Sequence, residues 1–182
     1  MAKDIWVISD THFFHENILK FTDSDGELIR GALFDSVEEM NEVMAHRWNS
    51  VVKPGDYVYH LGDVFMGDKV EFKKYWKRLN GSKRLIVGNH DDIKWIAQNE
   101  LFTKISMWRQ FTEFGLLLSH VPLDPSGLMN YRYKAEDPTD NPMLLNVHGH
   151  IHQNPSPTAD HRCVCVEHIN YTPIHIEELR IK

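Results

Sequence analysis

Cysteine is scarce in this chain of 182 residues; only Cys163 and Cys165 occur. If both lie on one strand they sit roughly 7 Å apart, too far for an unstrained bridge. Reduced thiols are expected, as small apolar filling of one sheet face rather than a soft metal site. Positive charge is short as well. The formal net charge is -6 and no lysine- or arginine-rich run stands out, so the footprint for wrapping a nucleic-acid backbone is missing. No extended nucleic-acid partner is expected. No stretch approaches the length of a membrane span, and the opening MAKDIWVISD is too short and too acidic for a signal peptide. A cytoplasmic location without a membrane partner is the expectation, and no oligomeric state follows.

What is present is enough to build a core. At 182 residues and 42% apolar content, residues 1–182 have the size of one ordinary globular domain. Ile5 to Ser9 is a short apolar run ending abruptly in Asp10, as a buried strand delivering a carboxylate at its tip would. Ser36 with Glu39 has the form of a capping box, and Val37, Met40, Val43, Met44 and Trp48 recur at helical spacing until Pro54-Gly55. Tyr57 to Leu61 reads as a second strand ending in Gly62 and Asp63, and Val70 to Leu79 as a second helix stopped by Asn80-Gly81. The third strand, Arg84 to Val87, runs straight into Gly88, Asn89, His90 and Asp91. Each strand-helix repeat thus places a polar cluster where a parallel sheet puts its binding crevice.

The second half differs. Short runs at Phe111 to Phe114, Leu116 to Ser119, Leu144 to Val147, Cys163 to Val166 and Ile174 to Ile181 predict a second sheet. Two of them end in histidine clusters, one at His120 and one in the alternation of His148, His150 and His152. Between them, Asp124 to Pro142 is polar and long for a connection inside a compact domain, which marks a binding loop or a mobile segment.

Asp10, His12, Asp63, Asn89, His120, His150 and His152 are oxygen and nitrogen ligand types at the ends of apolar runs. They suffice to hold two divalent cations side by side. A carboxylate can bridge two cations, neutral imidazoles complete each shell without cancelling charge, and the Asn89 amide adds a neutral oxygen. With two aspartates and one hydroxide the formal charge comes to about +1, so the site should attract phosphate although the protein is acidic. Two such metals can orient a bridging hydroxide toward phosphorus while binding the non-bridging oxygens. His90, next to Asn89, could then protonate the leaving oxygen. Imidazole, carboxylate and amide donors suit manganese, iron, nickel and zinc alike, with manganese the first candidate.

The segments DTH, GDV, GNHD, SHVP and GHIH, in this order from residue 10 to residue 152, resemble the five signature blocks of the calcineurin-like metallophosphoesterase family. The closing VEHINYTPIHIEEL also resembles the C-terminal strand and turn of its small members. The resemblance implies an α/β fold, a four-layer α-β-β-α sandwich with two mixed sheets. It implies that Asp10, His12, Asp63 and His152 hold one metal and that Asp63, Asn89, His120 and His150 hold the other, with Asp63 bridging. It makes His90 the general acid and Asp91 a partner that orients it. After GDV the chain reads FMGD, without the Asp-Arg pair of the family's protein phosphatases, which disfavours a protein phosphatase. No inserted capping domain is evident.

Each residue also has a plainer reading. Asp10 and Asp63 could simply cap the helices that follow them, and Asn89 and His90 could form an ordinary turn; five matching blocks argue against both. His148 is assigned to packing or support beside the ligands. His15 and Asn17 in FHENIL either contact phosphate or start a helix, and both are kept as substrate-binding candidates. His46, His60, His161, His168 and His175 are assigned to surface or core. Tyr131, Arg132 and Tyr133 would suit a base and a phosphate; Arg132 is retained as a substrate contact beside the alternative of exposed loop decoration. The expected activity is hydrolysis of a small phosphodiester or phosphomonoester, nucleotides and cyclic nucleotides leading. Its rivals are a nuclease of the same fold and a non-catalytic metal-binding scaffold.

Overall fold

The computed structural model describes residues 3–128 and 144–180. The first half alternates as its apolar pattern requires: β1 (Ile5–Ile8), α1 (Val37–Val51), β2 (Tyr57–His60), α2 (Lys69–Trp76), β3 (Ser82–Ile86) and α3 (Ile93–Gln98). A short β4 (Lys104–Ser106), which carries no sequence signal of its own, follows. The second half supplies β5 (Trp108–Phe111), β6 (Leu116–Ser119), β7 (Leu145–His148), β8 (His161–Cys163) and β9 (Ile174–His175).

These strands form two mixed sheets. The first has the order β4-β3-β2-β1-β9 and the second β5-β6-β7-β8. β1 to β4 run parallel, as strands joined by helical crossovers must, and β9 closes the first sheet antiparallel to β1. The assignment of the whole C-terminal half to a second sheet is therefore corrected: β9 returns to the first. Residues 111–114 also differ from the expected strand, since β5 ends at Phe111 and Thr112–Phe114 is a 3-10 turn. There Gly115 takes the left-handed conformation that stops the turn.

The helices cover the outer face of the first sheet, where Met40, Met44 and Trp48 of α1 and Phe72 and Trp76 of α2 lie in one buried cluster with Val58 and Leu85. A second cluster fills the space between the sheets, with Val7, Tyr59 and Ile86 facing Phe111, Leu116, Leu118 and Val147. Outside the second sheet lies a small cluster of Leu117, Leu128 and Leu144. Among the described residues this face is covered by the 3-10 turn Pro125–Leu128. The expected α/β sandwich of two mixed sheets and helices is thus present.

Ser36 caps α1 by accepting the Glu39 N–H, but Glu39 reaches back to the amide of Asp35, so the reciprocal half of the box is displaced by one residue. Asp68 caps α2 through two amides. No helix of the described residues is long and apolar enough to cross a membrane.

Candidate metal centre

The C-terminal ends of β1 and β2 continue past the sheet as paired loops. The amide of Asp10 donates to Gly62 O, that of His12 to Asp63 O and that of Phe13 to Val64 O, at 3.0, 3.1 and 3.0 Å. DTH and GDV therefore run side by side. From the facing sheet, His120 follows β6 and the GHIH segment follows β7, so ligands far apart in the chain meet over one crevice. Asp10, His12, Asp63, His150 and His152 all adopt positive φ, between 46 and 71°. Asp and His tolerate this region better than most residues, yet it costs of order 1–3 kcal/mol each and persists where the surroundings enforce it.

Two donor sets result: Asp10, His12 and His152 in one, Asp63, His120 and His150 in the other, each with ligand atoms within 4.8 Å of one another. Asp63 joins them. Its Oδ1 accepts the His90 amide at 2.9 Å, which leaves Oδ2 at 3.7 Å from His12 Nε2 and 3.6 Å from His120 Nε2. The tautomers are preset. His120 Nδ1 donates to Leu61 O at 2.7 Å, so Nε2 carries a lone pair. That lone pair lies 2.8 Å from Asn89 Oδ1 and 3.2 Å from His150 Nδ1, which is itself 3.0 Å from Asn89 Oδ1. Either a proton on His150 Nδ1 or a cation among the three would hold this cluster together.

Asp10 Oδ1 and both ring nitrogens of His12 are shielded from water and have no hydrogen-bond partner among the described residues. Burial raises the Asp10 pKa and, with the nearby Arg30 charge, depresses that of His12 well below the usual imidazole range. Buried polar atoms left unpaired in this way cost free energy. A divalent cation would satisfy Asp10 Oδ1 and one nitrogen of His12, and the donor chemistry fits one.

Several supporting residues were not picked out in the sequence. Arg30, almost wholly buried, donates to the carbonyls of Asp10 and Thr11 at 2.6 and 3.0 Å. It also pairs with Glu167 at 2.8 Å. Glu167 accepts from His152 Nδ1 at 3.1 Å, leaving Nε2 free to face the donor set. Burial alone would raise the Glu167 pKa, but Arg30 and His152 hold it at about 2. Burial likewise pulls His152 down, and Glu167 and Asp10 raise it on balance. Asp10 Oδ2 is fixed by the His150 amide at 2.9 Å, by the Ser9 hydroxyl and by the Cys165 thiol at 3.3 Å. Cys165 thus touches a candidate ligand instead of merely filling a sheet face, and it lies beyond β8, which ends at Cys163. Both thiols are free and buried. No pattern in the sequence marks Arg30. Glu167 could have been found as the carboxylate in VEHI, within the closing stretch.

Close packing explains two glycines. A Cβ on Gly149 would lie 2.0 Å from Ser9 Oγ and 2.2 Å from Asp10 Oδ2. On Gly62, at φ +96°, it would lie 2.5 Å from Gly88 Cα and 2.8 Å from His120 Nδ1.

His90 is exposed at the rim, its ring centroid 5.9 Å from that of His12. Asp91 does not serve as its partner among the described contacts. Its carboxylate accepts the amides of Gly88, Asp63 and Val64 at 2.8, 3.2 and 3.0 Å, so it ties GNHD to GDV. The orienting role expected of Asp91 is therefore corrected to one on the backbone of Asp63. His15 stands beside the first donor set, its ring centroid 5.5 Å from that of His12. Asn17 touches none of the candidate ligands among the described contacts; it is exposed on the 3-10 turn Glu16–Lys20, and its side-chain oxygen accepts from Lys20. His148 points elsewhere, donating to Gly149 O and bonded to Ser156 Oγ. Arg132 lies outside the described residues, as do Tyr131 and Tyr133.

Two facing mixed sheets with these donor sets at their strand ends define a protein of the metallophosphoesterase class. The chain belongs to the calcineurin-like phosphoesterase family, whose model matches residues 3–168. It is 32% identical to an uncharacterized protein of Methanocaldococcus jannaschii, over 96% of this chain and 88% of that one. To the gene 66 protein of Mycobacterium phage L5 it is 26% identical, over 94% of this chain and 84% of that one. Among solved structures, a protein of unknown function from Aquifex aeolicus matches with a TM-score of 0.68 and 28% identity, covering 98% of each chain.

Proposed function

We propose that this protein hydrolyses a small phosphodiester or phosphomonoester, nucleotide-like in size, with a pair of divalent cations. The observation that carries the reading is the single carboxylate between the two donor sets, Asp63 Oδ2 standing 3.7 Å from His12 Nε2 and 3.6 Å from His120 Nε2. Asp10, His12, Asp63 and His152 would hold one cation, and Asp63, Asn89, His120 and His150 the other. Such a pair, when bound, supplies a hydroxide at neutral pH and positive charge for the non-bridging oxygens of phosphate. Manganese, iron, nickel and zinc all suit these donors.

The protein's own residues prepare the site. Leu61 O and Glu167 fix the tautomers of His120 and His152, and Arg30 and Asp91 hold the loops of Asp10 and Asp63 by their backbones. His90, exposed beside His12, would give a proton to the leaving oxygen. A cleft of about 350 Å³ adjoins Asn89 and His120 and is walled by Met107, Trp108, Val121 and Leu123. That volume is within the roughly 300–1,000 Å³ of small-molecule sites. Its apolar wall suits the organic part of an ester, a base or aryl group stacking on Trp108.

A panel of aryl diesters, monoesters, nucleotides and cyclic nucleotides, run with several metals, tests this. Asp63→Ala or His150→Ala should abolish hydrolysis. His90→Ala should slow it roughly 10²–10⁴-fold while metal stays bound. Full turnover by Asp63→Ala would end the proposal. Stoichiometric metal with no turnover of any ester would favour the non-catalytic scaffold.

A further inference from the structure

A second polar cavity opens between the margins of the two sheets, away from the candidate metal ligands. It measures about 180 Å³ and is lined by Tyr59, Arg84, Lys104, Ser106 and Arg109 with the β3 backbone. Tyr59, Arg84 and Lys104 stand in register across β2, β3 and β4. Arg84 shares a face with Ile86, and Arg109 shares one with Phe111, by the two-residue period of a strand. Both Ile86 and Phe111 belong to the cluster between the sheets. The two guanidinium groups therefore border the slot from opposite sheets, with Arg109 over the Phe111 ring and Arg109 and Lys104 on its exposed side.

Three cations converging in an acidic protein need an explanation. Among the described residues none of the three forms an ion pair with a carboxylate. Charges on edge strands guard against strand pairing, and Lys104 on β4 and Arg109 on β5 are so placed. Arg84 is not, because β3 lies one strand inside the edge. Its guanidinium is held, with its carbon 3.9 Å from the Tyr57 ring centroid and Nη1 donating to the Tyr59 hydroxyl at 2.6 Å. Nε is shielded from water and has no partner among the described residues. An oriented guanidinium with a spare buried donor, facing two further cations, lacks an anion.

We propose that this slot between the sheets is a second anion site, which takes a phosphate group on Arg84, Arg109 and Lys104. Its volume falls below the roughly 300 Å³ of sites that enclose a drug-sized ligand, so it suits one tetrahedral oxyanion or the phosphate end of a larger monoester. Arginine forks match that geometry and lysine adds a point charge. The inference does not depend on the metal centre being catalytic.

The test is arginine labelling by phenylglyoxal of the full chain, mapped by mass spectrometry at matched ionic strength. Inorganic phosphate should slow labelling of Arg84 and Arg109 several-fold and leave the exposed Arg162 unchanged. Lys104→Gln should need about tenfold more phosphate for the same protection, with aryl-ester hydrolysis unaltered. Adenosine 5′-monophosphate distinguishes the source: protection by both ligands marks a site that reads phosphomonoesters, by inorganic phosphate alone a site for the free ion. Equal labelling of Arg84 and Arg109 with and without phosphate, or equal protection of Arg162, overturns the proposal. Failure here would leave the metal-dependent activity untouched, since the readout is local to the slot.

Discussion

Arg30 Nη2 donates to the backbone carbonyl of Asp10 over 2.6 Å, so a buried cation holds the turn that presents a candidate ligand. The same guanidinium pairs with Glu167, which in turn accepts from His152. One buried network thus sets both the loop and the imidazole of the first donor set.

Glu167→Gln should therefore act twice. It removes the anion from a buried arginine, which costs about 3–5 kcal/mol when a buried pair is broken. It also loosens the His152 ring, with an expected 10–100-fold loss of metal affinity. Thermal denaturation and metal titration check the two effects. Unchanged metal affinity would remove Glu167 from the site.

Asp91→Asn separates a backbone role from a catalytic one. Asparagine keeps one accepting oxygen but sets an NH2 donor against a backbone amide among those of Gly88, Asp63 and Val64, which should lower stability by about 1–3 kcal/mol and reduce turnover. The pH dependence of the remaining turnover should match that of the parent protein. A displaced profile would restore a direct Asp91–His90 pairing.

Gly149→Ala places a methyl group against Ser9 Oγ and Asp10 Oδ2, where it would lie 2.0 and 2.2 Å away. Overpacking of this kind costs about 1–3 kcal/mol, and the displaced carboxylate should bind metal more weakly. Gly55→Ala is the matched control, because nothing lies within 4 Å of its added Cβ. Equal behaviour of the two variants in metal titration would contradict the close approach of GHIH to β1.

His60 gives a pH prediction. Its Nδ1 accepts the Gly62 amide at 3.2 Å. Its Nε2 bonds Thr11 Oγ1 at 2.9 Å, and that hydroxyl already donates to Val64 O. The ring is therefore neutral with its proton on Nε2, and burial lowers its pKa from 6.5 to about 3. Between these values the unfolded chain binds a proton that the folded chain refuses, so stability falls as pH drops below 6.5, by up to about 1.4 kcal/mol per unit. His152, raised on folding, works in the opposite sense. In metal-depleted protein, denaturation between pH 7.5 and 5 should be less pH-dependent by nearly one proton for His60→Gln. Identical slopes would mean that His60 does not titrate as described.

The sequence determined the strand-helix alternation of the first half, because apolar runs and caps are local: Ser36 before α1 and Asp63 after β2 stand where the pattern requires. It also determined the candidate ligands, since Asp10, His12, Asp63, Asn89, His120, His150 and His152 carry their donor chemistry in short ordered blocks. What it could not determine depends on partners distant in the chain. β4 is short and partly exposed and leaves no periodic trace, and β9, which starts the expected run at Ile174, pairs with β1 across most of the chain, a partner no local pattern names. The burial of Arg30, the grip of Glu167 on His152 and the turning of Asp91 toward three amides were decided only by tertiary packing. The physical reason is that a side chain's type fixes which bonds it can make, whereas desolvation and distance fix which it does make, and both exist only once the two sheets have closed on each other.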